Sequence, residues 1–391
     1  MGYVVKGKSS IFITDEVTEG TYVAPASASA AIEVGEDFSG FEYTRESIER
    51  SVLSNTVESE APRAGLPTVN GSLPTEFKAS ATEGGSPRMD KLLKSLLGGK
   101  RNVASAVTSS SGHTTTQINL DDADAGKFKV GDSVLVKSPG AHALRPISAV
   151  NNTPGSVSIT LAFALPSAPA DGVSLAPVTT YFHDSFDGTL SVSAELGGDI
   201  LEKATGCKVE SGEIGNWTPG KIPTINFALQ ALALAKEVSG LALSPDFSAE
   251  PQPPVALDAK AFINGVPCEY NEFSLTLTNT LSQLLSCAQS QGKLASRNTN
   301  FLVTGSINPY MDNAGVENFE KFNEGEASSI YVHIQNPSSV AGEYENCCAI
   351  WLPSVTFTAV QNGDSEGVLT DEIEFQAQKT LGKDTVFMSF I

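Results

Sequence analysis

Residues 38–44 read Phe38-Ser39-Gly40-Phe41-Glu42-Tyr43-Thr44, and a similar run returns 235 positions later as Phe273-Ser274-Leu275-Thr276-Leu277-Thr278-Asn279. Further along, Gly71-Ser72-Leu73-Pro74 finds a counterpart 234 positions on, in Gly305-Ser306-Ile307-Asn308. Then the spacing drops. Ile225-Asn226-Phe227 resembles Ile373-Glu374-Phe375 at 148, and Cys207-Lys208-Val209 resembles Cys348-Ala349-Ile350 at 141. Matches that keep their order along a chain mark a duplicated unit. The fall from 234 to 148 leaves 86 residues of the first copy without a counterpart, which predicts a module inserted after Gly98.

The texture of both copies is β. Thr189–Leu196, Phe273–Thr278 and Val355–Val360 alternate apolar and polar residues between turn formers, the pattern of half-buried antiparallel strands. Each copy has one helix candidate in the same place. In the first, Ser86 is a capping residue and Pro87 suits the first turn. Met89, Leu92, Leu93, Leu96 and Leu97 fall on one face, and Gly98 ends the run. In the second, Val316 to Asn323 places Val316, Phe319 and Phe322 on one side, with Gly325 as the stop. The intervening stretch from about Asn102 to Tyr181 shifts to Ser, Thr, Ala and Pro. Its strand signals, at Phe128–Val136, Pro146–Val150 and Ser156–Leu161, read as a small β domain. Ser244 to Pro254 reads as a linker.

The 391 residues carry 45 Asp and Glu against 25 Lys and Arg, a formal charge of −20. Such a surface disfavours a tight nucleic-acid clamp but lets DNA pass without adhering. The five cysteines are odd in number, and no secretory leader or myristoylation pattern stands at the start, so free thiols are expected. Scattered histidines give no zinc spacing. No apolar run is long enough for a transmembrane helix. Gly215–Ile222 matches GxxxxGK but ends in Ile where a hydroxyl is needed, so a hairpin turn is expected. Asp121–Gly126 lacks the carboxylates of a calcium loop. Catalytic, cofactor and metal residues are therefore expected to be absent.

Ile32 to Gly98 resembles the N-terminal part of the tail tube (major tail) proteins of long-tailed bacteriophages. The carrying features are the strand Phe38–Tyr43, a long polar segment Glu46–Leu66, the Gly-containing strand Thr68–Ala79, and the helix Met89–Leu97. Val303 to Phe375 is similar to the closing part of such proteins, and the duplication resembles the forms that fuse two tube domains.

The resemblance implies a mainly β chain with two tandem β-sandwich domains, each with one α-helix, plus the inserted domain. Expected boundaries are an N-terminal arm at 1–30, a first tube domain at 31–101 and 182–243, the insert at 102–181, a linker at 244–254 and a second tube domain at 255–391. It implies a virion structural protein that self-assembles into stacked homotrimeric rings, each of six tube domains, forming the conduit for DNA ejection. The implied partners are other copies of itself and tail proteins such as the tape measure, terminator and baseplate or tip. Synthesis would be in the host cytoplasm, without a membrane. Ile48, Val52, Leu53 and Val57 of the polar segment would reach the adjacent ring. The alternative is a β-sandwich carbohydrate- or receptor-binding protein, which would need an exposed aromatic platform around Trp217 or Trp351.

Overall fold

A computed structural model of the chain describes all residues except 1–7, 39, 51–60, 139–142, 186–187, 249, 258, 338–343 and 381. The first copy opens with β1 (Ser10–Asp15), β2 (Ala31–Ile32), β3 (Glu42–Ile48), β4 (Arg63–Glu76), α1 (Asp90–Leu97) and β5 (Gly98–Val103). The insert follows with β6 (Val107–Thr108), β7 (Gln117–Asn119), β8 (Ser133–Lys137), β9 (Ala143–Asn151), β10 (Ser158–Leu161) and β11 (Ser174–Leu175). The first copy resumes with β12 (Val178–His183), β13 (Leu190–Leu196), β14 (Ile200–Trp217), β15 (Thr224–Ala231) and β16 (Ala233–Val238). The second comprises β17 (Lys260–Ile263), β18 (Val266–Cys268), β19 (Tyr270–Leu285), β20 (Lys293–Pro309), α2 (Asn313–Glu324), β21 (Ser328–Pro337), β22 (Tyr344–Ser365), β23 (Val368–Ala377) and β24 (Phe387–Phe390).

Antiparallel pairing runs without a break through β3-β4-β15-β14-β19-β20-β23-β22, four strands from each copy. Behind it each copy has an outer sheet. In the first, β1 pairs with β13, β13 with β14, and β14 with β16; in the second, β17 pairs with β21, β21 with β22, and β22 with β24. The long strands β14 and β22 each serve both sheets, so each copy is a sandwich folded about one bent strand.

The register gives the duplication in residues. Gly71 corresponds to Gly305, and Phe77 N–H donates to Pro223 O at 2.9 Å just as Met311 N–H donates to Leu369 O at 3.0 Å. The ladder breaks after Val209 in β14 and after Phe357 in β22, 148 positions apart. A second break, at Leu190/Val192, recurs at Ser328/Ile330. A bulge costs a residue its partner and is kept only where the sheet must bend, so shared bulges align the copies more firmly than side chains do. They also amend the sequence alignment. The Phe38 segment slips by one residue, because Glu42↔Asn70 answers to Thr276↔Thr304, a spacing of 234. Phe227 corresponds to Ile373 rather than Phe375, and Cys207 to Val355 rather than Cys348.

Residues 10–15 are not an arm: β1 is built into the outer sheet against β13. The insert has its own six-stranded sheet, and its flanking strands β5 and β12 pair with each other from Gly98↔His183 to Val103↔Val178. The insert does not stand apart, however. Its core of Phe128, Leu144, Ile159 and Phe163 is continuous with Phe262, Tyr331, Trp351 and Phe387 of the second copy. β12 also pairs with β24, closing the second outer sheet. In the linker, Glu250 is held by Arg88 at 2.6 Å. Ser86 accepts a hydrogen bond from Lys100 instead of capping α1, which begins at Asp90.

Candidate conduit face and assembly edges

Because side chains alternate along a strand, the eight-stranded sheet has two unlike faces. One is the core face, with Val69, Leu73, Phe227, Leu277, Ile307 and Phe375 buried. The other presents Thr44, Asn70, Ser72, Asn226, Thr276 and Thr304, joined across strands by register. Ser72 Oγ donates to Asn226 Oδ1 at 2.7 Å, and the Ser274 and Ser306 hydroxyls lie 2.9 Å apart. The charges exposed on this side are Glu42, Glu213, Glu272, Glu372 and Glu374, all acidic. Among the described residues, two cations share this alternation: Lys208 opposite Gln230 is buried, and Arg297 opposite Ser282 is paired with Glu19 at 2.7 Å. Hydroxyls, amides and carboxylates, with the guanidinium of Arg297 already paired to Glu19, give a surface that hydrates well and offers phosphate little to pair with.

The joint between the copies is the ladder of β14 with β19, from Ser211↔Thr278 to Ile214↔Leu275. α1 seals it. Gly212 leaves room for Leu96, whose Cδ2 would lie 2.6 Å from any Cβ placed there. Asn279 Nδ2 donates to Leu96 O at 2.9 Å and to Val209 O at 3.2 Å. The sheet ends at two strands of opposite type. Among the described residues, neither the outer edge of β3 nor that of β22 beyond Val355 has a partner strand, and every side chain of β3 is exposed. Unpaired edges of this length are an aggregation hazard in a free-standing protein.

The expected site residues fall into three groups. Met89, Leu92, Leu93 and Leu96 are buried under α1. Of the three expected on α2, Phe322 packs against the core, while Val316 is 63% exposed and Phe319 55% exposed. Ile48 is exposed at the end of β3, and Val52, Leu53 and Val57 lie outside the described residues. Trp217 and Trp351 are both buried, so neither offers an aromatic platform. Gly215–Ile222 spans the turn between β14 and β15. Among the described residues no three His, Cys, Asp or Glu side chains are arranged to hold a metal, and no helix is long and apolar enough to cross a membrane. The free edges were missed from sequence because an edge strand and a paired strand share one alternation; only the neighbour differs.

A family model described as phage tail tube protein matches residues 7–377. No individual curated protein matches the chain. The match covers nearly the whole length and agrees with the mainly β architecture. By that match the chain belongs to the phage tail tube proteins, structural components of the virion tail.

Proposed function

We propose that three chains close head to tail into a ring, that rings stack into the hollow tail tube, and that the polar face of the eight-stranded sheet lines its lumen. One observation carries this reading: the joint between the copies has an unfilled twin. β14 is the last strand of the first copy's inner sheet and β19 the first of the second's. The same two positions at the ends of the sheet are β22 and β3, whose outer edges have no partner strand among the described residues. Moving the β14–β19 register by the spacings of the duplication gives Ala359↔Thr44, Val360↔Tyr43 and Gln361↔Glu42 of the next chain. A contact that joins unlike surfaces closes only if its rotation divides the circle. Six tube domains, the number the family resemblance implies, are supplied by three chains.

The dimensions suit a conduit. Strands about 4.8 Å apart and tilted by about 40° give three chains of eight strands a barrel roughly 45–50 Å across at the backbone. Two chains would give roughly 32 Å, a bore that inward side chains would narrow further. Transit is passive. DNA binding is driven largely by release of counterions when Lys and Arg neutralise phosphates. A wall whose exposed charges are Glu42, Glu213, Glu272, Glu372 and Glu374 supplies none of that driving force and repels the backbone. In this reading the segment Glu46–Leu66 reaches the adjacent ring, and tape measure, terminator and tip proteins set the length and ends of the tube. The chain is made in the host cytoplasm and does no catalysis.

The test is Glu42→Cys with Gln361→Cys, in a background where the exposed Cys287 is Ser. Directly opposed residues lie within disulfide reach. Oxidised tubes should give covalent dimers and trimers on a denaturing gel, ending at a closed trimer, and either single variant should give none. Tubes that form without this cross-link, or covalent rings of six chains, would overturn the proposal.

A further inference from the structure

The two copies differ where the same position is core in one and surface in the other. Phe77 and Met311 correspond, since each follows the end of its inner strand and donates to the carbonyl opposite, Pro223 or Leu369. Phe77 is wholly buried and Met311 is 37% exposed. Phe77 is covered by Trp217 of its own copy, at 5.8 Å between ring centroids, and by the second copy. Phe390, on β24, packs on it with ring centroids 5.3 Å apart, and Asn346 Oδ1 accepts from Ala79 N–H at 2.6 Å close by. Phe390 has a counterpart of its own. β24 lies beside β22 with Phe390 opposite Cys348, and β16 lies beside β14 with Val238 opposite Ile200. Ile200 and Cys348 are 148 positions apart, the spacing of the bent strands. Val238 therefore stands where Phe390 stands, but it is 93% exposed.

The elements that meet at Met311 carry exposed apolar side chains among acidic ones such as Asp312 and Glu317. Tyr310, Val316, Phe319, Val368 and Leu369 are each more than a third exposed. They come from the start of α2, the end of β20 and the start of β23. A patch of this kind marks an interaction surface.

We propose that this patch is the seat for the end of β16 of the next chain, with Val238 against Met311 repeating the contact of Phe390 with Phe77. The occupant is a second copy of this chain. The inference rests on the proposed ring and adds to it an outer contact, separate from the inner ladder. Apolar groups that face water in the free chain, Met311 of one chain and Val238 of the next, are brought out of water together on closure. The smaller Val238 leaves more space over Met311 than Phe390 leaves over Phe77, and the flexible thioether of Met311 is suited to fill it.

The experiment carries both contacts. In the Cys287→Ser background, Val238→Cys with Met311→Cys is treated with a short bis-maleimide, alongside the Glu42→Cys, Gln361→Cys pair under oxidation. The expected result is trimeric product from both pairs in assembled tubes. Inner cross-linking without outer cross-linking overturns this inference and leaves the ring standing; failure of both in assembled tubes overturns the ring as well. Val238→Asp supplies the second readout. Its side chain touches little in the free chain, so melting should be unchanged while tube formation is lost; assembly at the unmodified level would count against the contact.

Discussion

The helices α1 and α2 occupy corresponding places in the two copies, yet one is core and the other is half surface. α1 is held at a joint already made: its leucines are buried, and Asn279 of the second copy bonds to its last turn. α2 lies beside β22, where the corresponding joint is open, and Val316 and Phe319 face water. The local sequences do not explain this, since both helices carry an apolar stripe. The neighbour explains it. A tandem repeat shows, in one chain, the same element with and without its partner. The open one can therefore be read from the closed one.

The largest effect expected from breaking this comparison concerns the insert, which covers the outer sheet of the second copy only. Removing residues 104–177 would bare Phe262, Tyr331, Trp351 and Phe387. At about 1.5–3 kcal/mol for each large side chain returned to water, the loss is about 6–12 kcal/mol, of the order of a whole domain's stability. Excision should therefore give insoluble or dye-binding protein, although its entry and exit strands lie side by side. A soluble, cooperatively melting product would show that the insert is a separate decoration.

The next effect separates the helices. Leu96→Ala opens a cavity at the made joint and should lower unfolding free energy by about 2–5 kcal/mol in denaturant titration. Phe319→Ala removes an exposed ring and should change it by no more than about 0.5 kcal/mol, while reducing assembly. Equal losses from the two would mean that the α2 face is already covered in the free chain.

The smallest effect sharpens the contrast between the outer sheets. His333 of β21 corresponds to Glu195 of β13. Glu195 accepts from Leu241 N–H at 3.0 Å. His333 is sealed under the insert, stacked near Phe262. Burial, reinforced by the charges of Arg145 and Lys260, holds its pKa down to about 3. A histidine lowered in the folded state takes up its proton in the unfolded chain first, so stability falls as pH drops from about 6.5 towards 3. The slope is about 1.4 kcal/mol per pH unit at most. His333→Gln should flatten the stability profile relative to wild type across that window; superimposable slopes would place the imidazole in contact with water.

Much of the fold was legible because duplication writes it twice. Gly71 and Gly305 stood out for a physical reason: a Cβ at either would strike an aromatic ring, of Phe41 or of Phe375, at about 2.5 Å. Strands were less exact. A slip of two residues, as between Phe227 and Ile373, keeps every side chain on its own face and leaves the alternation unchanged. The slip of one at Phe38 went unnoticed because Phe38 precedes β3 and its side chain obeys no strand period. The acidic side of the sheet could not be read from total charge, because it depends on which carboxylates share one parity across eight strands. The exposed patch on α2 could not be read either, since Val316 and Phe319 have the spacing of any buried stripe.

The made joint bears on how the proposed tube would correct errors while it grows. In the chain the joint is sealed by Gly212 under Leu96 and braced by β5 and β12, which extend the second copy's outer sheet. At the open one, Val360 stands in the place of Gly212, and among the described residues no such brace follows α2. A ring with alternating strong and weak seams opens only at the weak ones. The ring proposed above would therefore shed and exchange whole chains, never halves, so a wrongly seated subunit would leave and be replaced before the next layer locked it in.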